Sequence, residues 1–258
     1  MNTEGAIEHE LSIRVVGILS KAELVPGKLN KCTPDKVANL CQRVELVGLG
    51  SEVFKAAVSN TRPILEMLTR YFGAQRVSEW NIGQENGQYH LNCTCLYLTR
   101  TGDGVDDAEL QEIAFGRGVD PLGEFRKFRS AGLIHTAQNQ VKYFRRSTAA
   151  DGKHTLYEAF PANFRKGDIV EVQGSVLSFS SKHKAIKTIF QMNALTLLNS
   201  KYSKEAERRR SLEPKTARMR STLKRKQVFA EEDAEVGKTR RKFKDLHIEE
   251  DSGDMRVA

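Results

Sequence analysis

Four cysteines, six prolines and one tryptophan are spread over 258 residues. Cys32, Cys41, Cys93 and Cys95 are too few to staple a small secreted scaffold. The first residues, MNTEGAIEHELSIRVV, lack a basic stretch followed by an apolar core, so no secretory signal is expected. The thiols are therefore read as free, in a reducing compartment. No run approaches the roughly 18 apolar residues of a spanning helix, and no membrane partner is expected. The catalytic signatures G-x-S-x-G, G-x-x-x-x-G-K-[ST] and H-E-x-x-H are also missing. His247-Ile248-Glu249 has the H-x-E form of a zinc deaminase, but no P-C-x-x-C follows it. Asp103, Asp106 and Asp107 do not have EF-hand spacing and read as a turn and a helix start. The expectation is a protein that is not an enzyme and uses no cofactor or metal.

What is abundant is charge, and it is unevenly placed. Between Lys201 and Lys226 stand 11 Lys/Arg against 3 Asp/Glu, leaving 30 of the 41 basic and 30 of the 33 acidic residues for the rest of the chain. The whole net charge of +8 therefore belongs to one short segment. A basic tail favours polyanions, nucleic acid above all. Its clusters Arg208-Arg209-Arg210, Lys224-Arg225-Lys226 and RRKFK (240–244) suit nuclear import, so a nuclear location is expected.

Periodicity places the elements. Strands are predicted over 10–20, 44–50, 88–99, 140–147, 154–160, 168–179 and 185–198, and helices over 34–42, 51–72 and 106–115. Thr33-Pro34 opens the first helix, and Pro63 interrupts the second. Ile64, Leu65, Leu68, Tyr71 and Phe72 recur at helical spacing and predict a buried face. LGEFRKFRSAG (122–132) reads as a further short helix. Tyr89, Leu91, Cys93, Cys95 and Tyr97 alternate onto one side of their strand. The two last strands are long, and Gly174 marks a place where one can bend. Three regions follow: α+β over 1–135, an antiparallel β unit over 136–200, and a basic, largely disordered tail over 201–258.

Three constellations carry possible chemistry. VELVGLGSEVFKAAV opens like a dinucleotide-binding turn with Gly48 and Gly50, but Val53 holds the third glycine's place. Glu66 and Glu79 bracket the position of a ribose-binding acid without matching it. Cys93-x-Cys95 could ligate zinc with Cys32, Cys41 or His90, yet no C-x-x-C knuckle exists and buried core thiols are commoner. The third constellation is VKYFRR. Lys142, Tyr143, Arg145 and Arg146, with Lys182 and Lys184 of the KHK turn, mix cations and rings as single-stranded nucleic-acid sites do. Alternation requires that Tyr143 and Phe144 face opposite sides, so one of them belongs to the core.

The stretches FPANFRKGDIVEVQGSVLSF and LTLLNSKYSKEAERRR resemble a region of uncharacterised basidiomycete fungal proteins, over about a fifth of the chain. That resemblance implies no catalytic residues. The Gly167-Asp168-Ile169-Val170 run, followed by a second strand, is also similar to the later strands of OB-fold proteins. The expected architecture is α+β, with the strands from 88 to 198 forming a mostly antiparallel, OB-like curled sheet or barrel with flanking helices. The expected function is non-enzymatic binding of DNA or RNA, with single-stranded nucleic acid as the candidate form, in the nucleus. Two alternatives stand beside it: a protein-interaction module whose last long strand pairs with a partner, and a nucleotide-cofactor enzyme built on the Gly48–Gly50 turn.

Overall fold

The computed structural model describes residues 12–73, 82–85, 87–102, 110–149, 151–180 and 186–212. Its strands in chain order are β1 (Ile13–Glu23), β2 (Cys41–Val47), β3 (Ile82–Glu85), β4 (Gln88–Leu96), β5 (Thr99–Arg100), β6 (Leu133–Ile134), β7 (Lys142–Thr148), β8 (His154–Glu158), β9 (Ile169–Ser180) and β10 (Ile186–Asn199). Five of them close a barrel. β1 pairs antiparallel with β2 and β9, β2 with β4, and β9 with β10. A short parallel seam, Phe190 to Cys93 and Gln191 to Thr94, joins β10 to β4 and completes the ring. Counting only barrel strands, the order around the ring is first, second, third, fifth, fourth. The chain is thus α+β with a closed, OB-like barrel of mixed strands.

Alternation decides which strands take part. Val15 and Leu19 of β1, Val44 and Leu46 of β2, and Leu91, Cys93 and Cys95 of β4 are all buried. Val170 and Val172 of β9, and Phe190, Met192 and Leu195 of β10, complete the interior. Each strand therefore removes one apolar row from water, and closure hides both sheet edges. The predicted sheet of strands from 88 onwards differs from this ring in one respect. β7 and β8 lie outside the barrel, as a hairpin that extends it from β10, and β1 and β2 take their place. Every residue of β8 is exposed, so it has no apolar row to contribute. β1, β2 and β4 from 1–135 and β9 and β10 from 136–200 are two arcs of the one ring, joined at β1–β9 and β4–β10.

The helices plug and flank the ring. α1 (Pro34–Ala38) buries Val37 and stops well short of residue 42, because Cys41 already belongs to β2. α2 (Glu52–Ser59) starts where the Ser51 hydroxyl accepts the Phe54 N–H, and it buries Phe54 and Val58. Phe54 occupies the space that side chains at Gly17 and Gly48 would need. α3 (Arg62–Phe72) begins afresh at Pro63, as predicted, but it has no fully buried residue and Tyr71 is 82% exposed. Its apolar spacing therefore gives a half-buried face, with Leu65 packed against the core and Tyr71 outside it, rather than a buried one. Residues 110–115 are not helical: the Ile113 N–H donates to the His135 carbonyl, and Glu112 bridges Thr136, which pulls the segment straight. The part of that predicted helix before Leu110 lies outside the described residues, as do Asp103, Asp106 and Asp107. Glu124–Ala131 is a 3-10 turn rather than an α-helix. α4 (Lys201–Leu212) follows β10 directly and gives ordered structure to the start of the predicted tail.

The thiols behave as the alternation of β4 requires. Cys93 and Cys95 are buried inside the ring, whereas Cys32 and Cys41 are half-buried. Burial pushes the Cys95 thiol up to about 12 and raises that of Cys93 as well. Native protein treated with iodoacetamide at mildly alkaline pH should be alkylated at Cys32 and Cys41 only, because the thiolate is the nucleophile. Peptide mass spectrometry reads this directly. Equal labelling of Cys95 and Cys41 would show that the ring opens.

Candidate nucleic-acid interface

The β7–β8 hairpin divides the predicted VKYFRR site. Tyr143 points inward, where its hydroxyl donates to the buried Gln42 side chain and its ring lies 5.6 Å from that of Phe164. Burial raises its phenol pKa. Tyr143 is therefore a core residue and cannot stack on a base, which corrects its place among the predicted contacts. Lys142, half-buried Phe144 and half-buried Arg146 share the opposite face. Lys142 and Phe144 line a groove of about 580 Å³ with Gln173, Gln191 and Asn193.

Arg145 leaves that group and faces the other side of the hairpin. There it shares a cleft of about 570 Å³ with Tyr157, Phe160, Arg165 and Lys204. Strand register sets Arg145 beside Tyr157. Tyr157 is 56% and Phe160 42% exposed, so both rings offer a free face. The Arg117 guanidinium lies 4.8 Å from the centre of the Phe160 ring. Arg165 is committed in part, with Nη1 2.5 Å from Glu207. α4 forms the far wall of the cleft. It is fastened there by Asp168, whose carboxylate accepts the Ser203 hydroxyl and, at 2.8 Å, the Arg165 N–H.

The outer face of β1, β2 and β4 is different. Glu45 sits at its middle, accepting the Ser20 hydroxyl and lying 3.1 Å from His90 Nδ1. The Ser20 hydroxyl is the main reason that the Glu45 carboxyl stays below its ordinary range, against the opposing effect of burial, with His90 helping. A fixed carboxylate here, with Lys21, Glu23 and Arg43 around it in register, makes a mixed field rather than a phosphate-binding one.

Lys182 and Lys184 lie outside the described residues, as do Lys224, Arg225 and Lys226. The strands that lead to the first pair carry exposed Leu177, Phe179 and Lys187. Arg208, Arg209 and Arg210 are exposed on α4, with Arg209 bound to Glu205 one turn earlier at 2.6 Å. The Gly48–Gly50 turn is structural. Gly48 makes room for Phe54, Gly50 has φ +86°, and β2 runs antiparallel to both neighbours, so no dinucleotide-type parallel crossover is built there. Tyr157, Phe160 and Lys204 escaped the sequence reading because the three come from separate elements that only the fold gathers. The one local signal was the alternating HTLYEAF.

No family model matches the sequence, and no curated protein matches it. Among solved structures the chain is similar to gp2.5, a single-stranded DNA-binding protein encoded by bacteriophage T7, with a TM-score of 0.44 and 10% identity over 74% of this chain and 87% of that one. It is also similar to a C-terminally truncated single-stranded DNA-binding protein from bacteriophage Enc34, with a TM-score of 0.39 and 7% identity over 73% and 85%. At these identities neither gives a residue-by-residue correspondence.

Proposed function

We propose that this protein binds single-stranded nucleic acid without catalysis and does so in the nucleus. The observation that carries the reading is the cleft in which exposed Tyr157 and Phe160 meet Arg145 and Lys204 on the flank of an OB-like barrel. Bases stack on rings whatever their sequence, while cations alongside track the phosphates. OB barrels commonly present ligands to the face of their second and third strands. Here that face holds the Glu45 carboxylate, so the flanking cleft is the better phosphate site. The basic tail adds sequence-independent attraction, and its clusters support nuclear import.

Anisotropy of labelled oligothymidylate across a salt series tests this. Tyr157→Ala with Phe160→Ala should weaken binding by at least about 30-fold, since each of the two stacked bases is worth roughly 1–3 kcal/mol. Arg145→Ala with Lys204→Ala should flatten the logarithmic salt slope by about 1.4, from roughly 0.7 for each phosphate contact. Removal of residues 213–258 should cost mainly low-salt affinity. Wild-type binding by both double variants at every salt concentration would exclude the cleft. Nuclear accumulation of a fluorescent fusion should fall when Lys224, Arg225 and Lys226 become alanine.

A second reading rests on β8. β10 pairs with β9 on one edge and, over Phe190–Gln191 and Ala194–Leu197, with β4 and β7 on the other, so both edges of the last long strand already carry partners. β8 does lie at an edge of the sheet, with every residue exposed, and could accept a partner strand. Co-purification of a protein lost on introducing proline at Thr155, together with no affinity for oligothymidylate, would favour it.

A further inference from the structure

The long connection between β4 and β9 encloses a second cavity, of about 560 Å³, which is the size of a mononucleotide site. Its lining includes Glu112, Arg117, Asp120, Arg126, Arg129 and His135. The acids are already engaged. Glu112 pairs with Arg129 at 2.7 Å, and the Asp120 carboxylate accepts the N–H groups of Glu124 and Phe125 at 2.9 and 3.1 Å. Arg117 and Arg126 have no carboxylate partner among the described residues. Two guanidinium groups without carboxylate partners at one cavity favour an anion with several acceptor oxygens that can be held in pairs, as a phosphate monoester has.

His135 provides an independent observation. It is only 3% exposed, and its ring stacks on Phe115 with centroids 4.1 Å apart. Its Nδ1 lies 2.8 Å from the Tyr97 carbonyl oxygen. A carbonyl can only accept, so Nδ1 carries the proton and Nε2 presents a lone pair. That Nε2 is buried and has no hydrogen-bond partner. Burial holds the ring below the ordinary histidine range, which keeps it neutral and Nε2 an acceptor. A buried acceptor without a donor is costly, and a ligand O–H or N–H would satisfy it.

We infer that this cavity takes a nucleotide-sized phosphate monoester, its phosphate held by Arg117 and Arg126 and a hydroxyl or amino group donating to His135 Nε2. The site borders the stacking cleft, because Arg117 also lies over the Phe160 ring, whereas Arg126 belongs to this cavity alone; the inference goes beyond the reading given for that cleft. Free nucleotides and the 5′-phosphorylated end of a strand share this chemistry.

Calorimetry on the full chain with adenosine 5′-monophosphate, adenosine and inorganic phosphate tests the chemistry. The monophosphate should bind at least tenfold more tightly than either fragment, and Arg126→Ala, at an exposed position, should weaken it at least tenfold. In a long-range proton–nitrogen spectrum, the ligand should move the His135 Nε2 resonance in the direction of hydrogen-bond acceptance. Oligothymidylate with a 5′-phosphate, compared with the 5′-hydroxyl form, identifies the source: an advantage for the phosphorylated strand that Arg126→Ala abolishes assigns the cavity to strand ends. If neither the monophosphate nor the 5′-phosphate gains anything over its control, the inference fails. Binding that survives Arg126→Ala and Arg117→Ala unchanged overturns it equally. The 5′-hydroxyl strand reports the Arg145–Lys204 cleft independently, so either site can fail alone.

Discussion

Replacing Gly174 with valine leaves no folded barrel. A Cβ at this position would stand 2.0 Å from the Gln191 carbonyl oxygen and 2.6 Å from the Phe190 ring. The crowding comes from the register. Gly174 pairs with Met192, the ladder slips between Met192 and Ala194, and the slip brings the Gln191 backbone over the glycine. Neither neighbour can yield cheaply. Phe190 fills the interior, and Phe190 and Gln191 are the residues that form the parallel seam with β4. Overpacking a core costs about 1–3 kcal/mol when side chains can shift. Here backbone must move, so even Gly174→Ala should lose about 3 kcal/mol, and valine should abolish the cooperative transition. Urea denaturation midpoints measure this. Gly27→Ala is the control: its Cβ would meet nothing within 4 Å, and it should be neutral or stabilise by up to about 1 kcal/mol. An unchanged midpoint for Gly174→Ala would mean that β9 and β10 are not held in this register.

Asp168→Ala should cost about 3 kcal/mol and release α4. Asp168 is buried, and its carboxylate accepts the Arg165 N–H and the Ser203 hydroxyl. Hydrogen bonds to a charged group contribute about 1.5–3 kcal/mol each, and their loss strands two donors. In a unit of this size that corresponds to a fall in Tm of roughly 6–12 °C. Hydrogen-exchange protection across Lys201–Leu212 should drop more than protection of β9. Oligothymidylate binding should weaken too, because α4 carries Lys204. Ser203→Ala should recover part of this phenotype on its own, and the double variant should be less impaired than the sum, since both substitutions break the same bond. Additive losses would place the two residues in unrelated roles.

Much of the fold could be read from alternation and turn chemistry. The β4 pattern identified Leu91, Cys93, Cys95 and Tyr97 as interior, and all four are buried. In β9, alternation predicts Val170, Val172 and Val176 inside and Glu171, Gln173 and Ser175 outside; Val170 and Val172 are buried, but beyond Gly174 the pattern gives way, with Ser175 buried and Val176 half-buried. The two glycines of VELVGLG are required for different reasons, Gly48 by the Phe54 ring on another element and Gly50 by its φ of +86°. The amphipathic spacing of α3 misled because periodicity records a face, not the partner that would cover it. The candidate site was half legible. Arg145 was found from its local mixture of cations and rings, while Tyr143 was assigned to the surface although the barrel needed a large residue opposite Gln42.

The sequence by itself determined the local facts: which strands alternate, where prolines and glycines break elements, and that an excess of positive charge equal to the whole chain's lies between Lys201 and Lys226. Those depend on neighbours a few residues apart. Only the tertiary structure decided which strands close the ring. β1 and β9 lie some 150 residues apart in the chain, and their pairing from Ile13–Gly174 to Ile18–Ile169 rests on buried apolar rows meeting across space. Pairing of β7 on β10 set Tyr143 and Arg145 on one face, Tyr143 over the core and Arg145 beyond it, with α4 walling the cleft beside Arg145. A site drawn from four separated segments has no local pattern, because what makes it a site is the distance between side chains and not the spacing between residues.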